Sequence, residues 1–401
     1  MPTAIDDQVL IVGAGPVGLC LAMLLGESGL SVRVIEKASG IEEDLRASTF
    51  HPPTLDMLTP SGVAQSMVDQ GLICPTWQIR LHPSGERAVF DLSVLEGQTG
   101  HPYRMQCEQW KLAKALYARV AATPGVTVMF DTEATSITQD ETGVSVTVST
   151  RGEEKVWRAL YVAGCDGARS AVRKSAALDF TGVTYPETTL LATTTFPFED
   201  HLEGLSNVSY CWKEGGNFSL LKVPGRWRVS IYPDEDLSIE SQMTPEALNA
   251  SLQEIVARPE PYTIAESRPY RVHMRIVPHY RAGRIMLAGD AAHVNSPSGG
   301  MGLNGGIHDA FELSRALIAV LKDGADERRL DLYDARRRPI ARDEILAQAD
   351  RNRARMRERD PERRRELLRE LQDITGDRAR MLAYLTRSSM LDGLRRAAAI
   401  V

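Results

Sequence analysis

The sequence lacks the features that mark several large classes of protein. Its five cysteines are scattered, odd in number and form no CxxC pair, so neither a disulfide framework nor a zinc site is expected. None of its eight histidines belongs to an HxH or HExxH pattern, so we predict no metal. Internal repeats and low-complexity segments are also missing. Cysteine usage of this kind is typical of a reducing compartment, and we predict the cytoplasm.

A surplus of positive charge is missing as well. The 47 Lys and Arg residues are outnumbered by 53 Asp and Glu residues, which gives a net charge of −6 and argues against nucleic acid as a partner. The tail from Asp323 onward is rich in Arg and Glu and has helical periodicity. Because acids alternate with bases there, the tail predicts solvated helices with ion pairs.

Only one stretch is apolar over the length of a membrane span. Val9–Gly26 contains no charged residue over 18 positions, which is the threshold for a membrane-helix candidate. Three glycines and a proline interrupt it, and Asp6 and Asp7 precede it where a secretory signal carries Lys or Arg. We therefore predict no membrane span.

What the sequence does contain is the pattern of a large α/β protein. The chain has 401 residues, 43% of them hydrophobic, enough for a large core and two or three units. Val9–Val12 is an apolar strand, a glycine turn follows, and the next residues to Ser28 form a helix. A second buried strand, Val32–Ile35, completes a βαβ unit.

The remaining chain divides into segments of different character. Residues 184–269 contain period-two stretches that predict an antiparallel sheet, with a hairpin over 77–92. The fold class is therefore α/β, a Rossmann-like domain interleaved with an antiparallel-sheet substrate domain and C-terminal helices. We predict a discontinuous cofactor domain (1–75, 101–183 and 270–345), a sheet domain (76–100 and 184–269) and a helical segment (346–401).

The turn of the βαβ unit carries a dinucleotide-binding motif. Gly13 permits the tight turn, Gly15 lets a pyrophosphate approach the backbone, and Gly18 allows the helix to pack closely on the strand. Pro16 lies in the same turn, ahead of the helix predicted from Leu19. Glu36, at the end of the second strand, is suited to accept hydrogen bonds from both ribose hydroxyls, which favours FAD or NAD over a 2′-phosphorylated nucleotide.

Two later motifs place an Asp beside a Gly at a strand end. Residues 162–173 read VAGCDGARSAVR, and residues 283–293 read GRIMLAGDAAH, followed by a glycine-rich segment. In this order the three motifs resemble those of the class A flavoprotein monooxygenases, the single-component aromatic hydroxylases similar to p-hydroxybenzoate hydroxylase. The resemblance covers about residues 9–339. This chain has Gly-Gly-Met-Gly over 299–302, where that family usually has Gly-Gln-Gly.

The resemblance implies a set of FAD contacts beyond the glycine motif. It implies that Asp290 binds the hydroxyls of FAD, and that the backbone N–H groups at a helix start stabilise negative charge on reduced flavin. The implied FAD-binding residues are Arg46, Gln106, Asp166, Asp290, Gly302, Leu303 and Asn304.

The resemblance also implies a reaction and a set of substrate residues. NADPH or NADH binds transiently and reduces FAD, O2 forms a flavin C4a-hydroperoxide, and an OH group passes to a phenolic or heteroaromatic ring. Tyr210 would activate the phenol, Pro297 would pack at the reactive flavin edge, and Arg226 would contact the flavin. The implied substrate contacts are Tyr210, Trp212, Lys222 and His273.

Several alternatives stay open from the sequence. Related flavoenzymes that perform epoxidation, Baeyer–Villiger insertion or N-oxidation would keep every motif. A flavin-dependent halogenase is disfavoured because no tryptophan begins a WxW pattern, and a non-catalytic nucleotide-binding module would need all three motifs without turnover. A homodimer is the expected assembly, if the chain assembles at all.

Overall fold

A computed structural model describes residues 5–44, 46–234 and 236–401. Elements are numbered here in chain order. The strands are β1 Asp7–Val12, β2 Val32–Ile35, β3 Thr49–Phe50, β4 Leu72–Cys74, β5 Thr76–Leu81, β6 Arg87–Asp91, β7 Arg104–Gln106, β8 Val126–Met129, β9 Thr132–Gln139, β10 Val144–Thr150, β11 Glu153–Gly164, β12 Thr181–Thr194, β13 Val208–Lys213, β14 Gly216–Val223, β15 Arg226–Ile231, β16 Ile264–Ile276, β17 Arg281–Ala282, β18 Ile285–Leu287 and β19 His293–Val294.

The helices alternate with these strands in the first part of the chain and follow one another at the end. They are α1 Pro16–Glu27, α2 Pro52–Leu58, α3 Val63–Gln70, α4 Gln109–Ala121, α5 Ala171–Ser175, α6 Ile239–Gln242, α7 Pro245–Gln253, α8 Gly302–Leu321, α9 Arg329–Ile340, α10 Ala347–Met356, α11 Pro361–Thr375, α12 Arg378–Ser388 and α13 Leu391–Ala398.

A parallel sheet forms the centre of the cofactor domain. Its order is β18-β11-β1-β2-β8, with β17 antiparallel at one edge and the β9–β10 hairpin attached to β11. The side chains of β1 are almost wholly buried because α1 and other helices cover the sheet. The uncharged run Val9–Gly26 thus becomes the central strand and its helix, as the sequence predicts.

The second large sheet is antiparallel apart from one parallel strand pair, β13 with β5. Its order is β19-β16-β12-β15-β14-β13-β5-β6. One face packs on a hydrophobic cluster with α7, which includes Phe218, Trp227 and Leu252. The other face, by the two-residue alternation of strands, looks toward the cofactor domain.

The C-terminal helices cover the β5–β6 end of this sheet. Leu368 and Leu385 from α11 and α12 pack against Trp77 and Phe90 from β5 and β6 in one cluster. Arg364 is buried and donates to the carbonyls of Lys213, at 2.6 Å, and of Gly216, at 3.0 Å, which ties α11 to the β13–β14 turn.

The predicted fold class is confirmed, and the differences are local. The βαβ unit, the hairpin of β5 and β6 and the antiparallel sheet form as predicted. Sequence patterning missed the short helices α6 and α7, which interrupt the sheet region, and β16 continues past residue 269 to Ile276. In the described ranges, no helix combines the length and hydropathy needed to cross a bilayer.

Arg364→Met tests the attachment of the C-terminal helices. We expect it to lower the free energy of unfolding by about 2–4 kcal/mol, because buried carbonyls lose charge-assisted hydrogen bonds. Urea unfolding measures the change. Arg363→Met on the same helix is the control, since Arg363 is about half exposed and pairs only with acids on the helix surface. Equal stability of the two variants would contradict the attachment.

Candidate active site

The floor of the site is made by three loops that leave adjacent parallel strands. The loop after β1 begins at Gly13, the loop after β11 at Cys165 and the loop after β18 at Ala288. Because β18, β11 and β1 are neighbours, the three motifs that are distant in sequence meet at one sheet edge. Ligands of open α/β sheets bind at this carboxyl edge.

The glycines of the first loop differ in what surrounds them. A Cβ on Gly13, which has φ +108°, would lie 2.4 Å from the Cys165 carbonyl oxygen, and one on Gly18 would lie 2.0 Å from the Gly13 oxygen. A Cβ on Gly15 would meet nothing within 4 Å, because Gly15 faces the cleft. Gly13 and Gly18 therefore pack the loop, whereas Gly15 leaves room for a ligand, as the motif predicts.

Glu36 is fixed at the same loop. Its Oε2 accepts from the Ala14 backbone N–H at 2.9 Å and its Oε1 from that of Ala38 at 3.0 Å. The carboxylate therefore stands beside the glycine turn at the end of β2, the position expected of a ribose-binding acid.

Asp290 opens into the cleft from the GD motif. No described residue hydrogen-bonds its carboxylate, and burial among the walls of the cleft raises its pKa, while His293 and Arg46 lower it. An acceptor-only carboxylate facing a cleft without a protein donor is suited to sugar hydroxyls.

A buried charge cluster supports the Asp290 turn. Asp309 Oδ2 accepts from the Gly289 N–H at 3.1 Å and lies 2.8 Å from His293 Nε2, and Oδ1 accepts from Arg337 Nε at 2.7 Å. Burial raises the pKa of Asp309, but Arg337 and His293 outweigh it and lower that pKa to about 2. Asp309 and Arg337 could not be paired from the sequence, because they lie 28 positions apart on the consecutive helices α8 and α9.

The start of α8 closes the other end of the cleft. Gly302 and Leu303 line it together with Pro297. Asn304 is buried instead, where its Oδ1 accepts from the His51 N–H at 2.9 Å and its Nδ2 donates to the Thr49 carbonyl at 2.9 Å. The Asn304 side chain therefore holds the α8 start against the β3 segment.

The whole cleft has a volume of about 450 Å³ and runs from the glycine turn to the α8 start. Three arginines line it: Arg46, Arg228 and Arg268. Burial lowers the pKa of Arg228 to about 10, and Arg46 pairs with Asp44 at 2.6 Å. The walls are thus basic, which suits a ligand that carries phosphates.

Gln106, the glutamine expected at the cofactor, does not line the cleft. Gln106 is fully buried, accepts from Ser48 Oγ at 3.0 Å and donates to Thr49 Oγ1 at 2.9 Å. Gln109, the first residue of α4, lines the cleft instead. Gln106 lies at the end of a strand inside a sheet, where its side chain is buried. The sequence could have indicated Gln109 instead, because it begins a helix.

Asp166 also differs from its expected role. Its carboxylate accepts from the Ser170 hydroxyl at 2.5 Å and the Ala171 N–H at 2.6 Å, so it turns toward the start of α5. Cys165 and Gly167 on either side line the cleft. The DG motif reaches the cleft through these neighbours.

Tyr210 stands between the cleft and a second, smaller chamber with a volume of about 30 Å³. Both cavities include Tyr210, Ser298 and Met301 in their walls. Burial raises the pKa of Tyr210, whereas the neighbouring Arg104 and a backbone hydrogen bond with Gly299 lower it. The chamber walls are mostly aromatic or apolar, and they consist of Trp77, Ile79, Arg104, Tyr210, Ser298, Gly299, Met301, Asn352, Arg355, Met356, Tyr384 and Ser388.

The structure does not bring three expected substrate residues to either cavity. Lys222 is on the opposite face of β14 from the cleft-lining Ser219 and Leu221, and pairs with Glu199. Trp212 is wholly buried and donates to the Arg355 carbonyl at 3.2 Å. His273 is exposed.

For Lys222 and His273 the reason is the register of the strands, whereas Trp212 shares the face of Tyr210 on β13 and is covered by the C-terminal helices. Successive side chains of a strand alternate between faces, so a shift of one residue exchanges the cleft for the opposite face. Arg226 shares the face of Arg228 but lies at the strand start, outside the cleft, near Glu108 at 3.9 Å and Glu266 at 3.7 Å. His273 Nδ1 lies 3.0 Å from Thr184 Oγ1 on the neighbouring strand.

Sequence reasoning also missed residues that do line the cavities. Arg228, Tyr232, Arg268 and Tyr270 lie in the cleft wall, and Arg104 and Tyr384 lie in the chamber. The alternating sequence pattern of β15 and β16 predicts that each strand has two different faces, but it does not show which face lines the cleft. No sequence signal marked Tyr384, because the tail was interpreted as solvated helix.

The family model described as FAD binding domain matches residues 6–348, most of the chain. The chain belongs to this flavoprotein family. The para-nitrophenol 4-monooxygenase of Pseudomonas sp. (strain WBC-3) is 34% identical to the flavoprotein over 394 residues, or 97% of each chain. The 6-hydroxy-3-succinoylpyridine 3-monooxygenase of Pseudomonas putida (strain DSM 28022 / S16) is 32% identical over 84% of this chain and 85% of its own length.

Solved structures give the same result. The p-nitrophenol 4-monooxygenase of Pseudomonas putida DLL-E4 superposes with a TM-score of 0.91 at 32% identity, over 98% of this chain and 99% of its own. Aklavinone-11 hydroxylase in complex with FAD and aklavinone has a TM-score of 0.78 at 26% identity, over 88% and 70% of the two chains. The flavoprotein is therefore a class A, FAD-dependent aromatic monooxygenase, as its motifs predict.

The residues of the cleft fit FAD. Gly15 leaves open space at the phosphate end, and Asp290 presents a carboxylate to which no residue in the described part of the chain donates. Gly302 and Leu303, at the start of a 20-residue helix, line the far end. When bound, FAD supplies the redox chemistry, accepting electrons from NAD(P)H and activating O2. The protein itself binds, orients and excludes water.

Gly15→Ala and Gly18→Ala test whether Gly15 provides space for the ligand and Gly18 allows the loop to pack. We expect Gly15→Ala to leave the free energy of unfolding of the apoprotein nearly unchanged but to weaken FAD binding about tenfold or more, because the new methyl occupies the phosphate space. Gly18→Ala should destabilise the fold itself, since its Cβ would meet the Gly13 carbonyl. Flavin fluorescence titration and urea unfolding measure the two effects. Equal losses of stability would refute this division.

Asp309→Asn tests the buried cluster. We expect the free energy of unfolding to fall by about 3–5 kcal/mol at neutral pH, because Arg337 keeps a buried charge without its partner. The folded pKa of Asp309, about 2, is below its ordinary value of 3.8, so its contribution is complete above that value and is lost as pH falls through 2. Urea unfolding from pH 7 to pH 2 should show the deficit constant down to about pH 4 and then shrinking.

Asp331→Asn is the control for this pH series. Asp331 is 65% exposed and pairs with Arg281 on the surface, so its replacement should cost less than about 1 kcal/mol. A deficit of the Asp309 variant that is already lost near pH 6 would contradict the assigned role.

Proposed function

We propose that this flavoprotein hydroxylates a small monocyclic phenol, whose ring sits beside Tyr210 where the cleft meets the smaller chamber. The observation that carries the proposal is the chamber itself, a mostly aromatic and apolar cavity that shares Tyr210, Ser298 and Met301 with the cofactor cleft. A ring held there would face the Pro297 end of the cleft. The relative acting, by its name, on para-nitrophenol matches over nearly the whole chain and supports a substrate of this size.

Trp77 and Tyr210 are proposed to hold the ring. Trp77 stacks on Phe90 with centroids 4.1 Å apart, and Tyr210 meets Trp77 edge-on at 6.1 Å. Phe90 in turn stacks on Tyr384 at 4.8 Å, so the wall is fixed from two sides. A rigid aromatic wall binds a planar ring with little loss of side-chain freedom.

Tyr210 is proposed to take part in proton transfer at the phenol. Its hydroxyl lies next to the Arg104 guanidinium and the Gly299 backbone, which oppose the effect of burial on its pKa. Because Tyr210 also lines the open cleft, its hydroxyl can take the proton of the substrate hydroxyl while its own proton leaves to water in the cleft. Deprotonation makes the ring more electron-rich and more reactive toward oxygen transfer.

The cofactor contacts are proposed in the same way. Gly15, Pro16 and Arg46 would meet the phosphates, Asp290 and Glu36 the sugar hydroxyls, and Gly302 with Leu303 the flavin end. Gln109 replaces Gln106 as the proposed glutamine contact. Pro297 would pack at the reactive edge.

Location and assembly are also proposals. The cytoplasm is supported by the five free cysteines and by the need for reduced nicotinamide nucleotide. The proposed assembly is a homodimer, and light scattering of the purified holoenzyme tests it.

Substrate-stimulated coenzyme oxidation tests the activity. Purified protein with FAD should oxidise NADH or NADPH faster when a phenol is added, and ¹⁸O from ¹⁸O2 should appear in the ring product by mass spectrometry. Product without ring oxygen, or protein unable to retain FAD, would overturn the proposal. An epoxide, lactone or N-oxide would instead assign the related chemistries.

Tyr210→Phe tests the proton transfer. We expect kcat for phenol hydroxylation to fall by about 100-fold while FAD binding stays unchanged, because only the hydroxyl is removed. Stopped-flow kinetics and flavin titration provide the two measurements. Tyr117→Phe on α4 is the matched control, since that ring packs on Phe130 and lines neither cavity. A Tyr210 variant with kcat near that of the control would contradict the role.

A further inference from the structure

Arg104 is a buried cation whose guanidinium is only partly satisfied. The residue is 3% exposed, and its Nε and Nη1 have no hydrogen-bond partner among the residues that the structure describes. The guanidinium lies over the Trp77 ring, 4.6 Å from its centroid, and lines the chamber. A buried charge without compensation costs several kcal/mol, so its retention needs a reason.

The surroundings of Arg104 supply no negative charge. The groups that act on its pKa, after burial lowers it, are Tyr210, Tyr384 and Cys74, which are neutral in their ordinary state. His51 is neutral as well, because burial and Arg104 lower its pKa to about 3. No described Asp or Glu lines the chamber or pairs with Arg104.

A second arginine adds to the positive charge. Arg355 of α10 also lines the chamber, and its Nη1 donates to the Tyr384 hydroxyl at 3.1 Å. The chamber therefore combines aromatic walls with two cationic side chains.

We propose that the chamber binds an oxyanion carried on the substrate ring, with Arg104 as its counterion. The inference depends on the proposed function and names its substrate class, namely aromatic anions. The free Nε and Nη1 donors of Arg104 can pair with a phenolate or a carboxylate oxygen. Arg104 is then the residue that sets specificity for charge, whereas Trp77 and Tyr210 set it for a planar ring.

Ligand binding to the intact holoenzyme tests the anion directly. 4-Nitrophenol is titrated across pH by difference absorbance, which separates its phenolate from its neutral form. Benzoate and its neutral counterpart benzamide are measured by competition. We expect either a lowered pKa of bound 4-nitrophenol, which identifies a phenolate, or benzoate at least about tenfold tighter than benzamide, which identifies a carboxylate.

Arg104→Met shows whether this preference comes from Arg104. We expect about 10- to 100-fold weaker binding of the preferred anion, loss of the charge preference and a thermal midpoint equal to or above that of the wild type. Arg104→Lys should restore part of the preference. Arg80→Met is the control, because Arg80 is equally buried on β5 but lines neither cavity.

The outcomes separate this inference from the proposed function. FAD retention and ¹⁸O incorporation are measured on the same preparations. Wild-type enzyme that hydroxylates phenols, yet binds 4-nitrophenol with unchanged pKa and benzoate no tighter than benzamide, would overturn the anion site alone. A preference that survives in Arg104→Met would overturn the role of Arg104.

Discussion

The site depends on the meeting of three parallel strand ends at one sheet edge. The loops after β1, β11 and β18 approach so closely that glycine is needed at the contacts, as at Gly13 against the Cys165 carbonyl. As a consequence, the floor of the cleft is formed at these contacts by backbone atoms and not by side chains. The floor therefore offers N–H groups and open space to phosphates, while charge is confined to the rims, at Glu36, Asp290 and the arginines of the cleft.

The antiparallel sheet contributes the opposite wall, and its alternation decides which side chains take part. Ser219, Arg228 and Tyr270 face the cofactor cleft, while their neighbours in sequence pack on α7 or reach solvent. Beyond Tyr210 the C-terminal helices complete the chamber. The helices that stabilise the sheet thus also supply Arg355 and Tyr384 to the substrate side, so stability and specificity share the same packing.

The cofactor half of the site was largely predictable, and the substrate half was not. Backbone geometry restricts Gly13 and Gly18 to glycine, and the space that a phosphate needs does the same for Gly15, so all three positions can be recognised in the sequence. Side chains such as Lys222 and His273 have no such mark, because their direction depends on a strand register that long-range pairing sets. Gln106 does not line the cleft for a related reason, because its side chain is buried at a strand end. Gln109, at the start of the next helix, lines the cleft instead. Arg104 could be recognised only in the folded structure, because only there is it visible that its guanidinium is buried and has no carboxylate as a partner.

A crystal structure of the holoenzyme with 4-nitrophenol tests the central claim most directly. We expect FAD along the line from Gly15 through Asp290 to Leu303, with the substrate ring beside Tyr210 and its oxygen on Arg104. A ring bound outside the chamber, on the face of the sheet that carries Lys222, would contradict it.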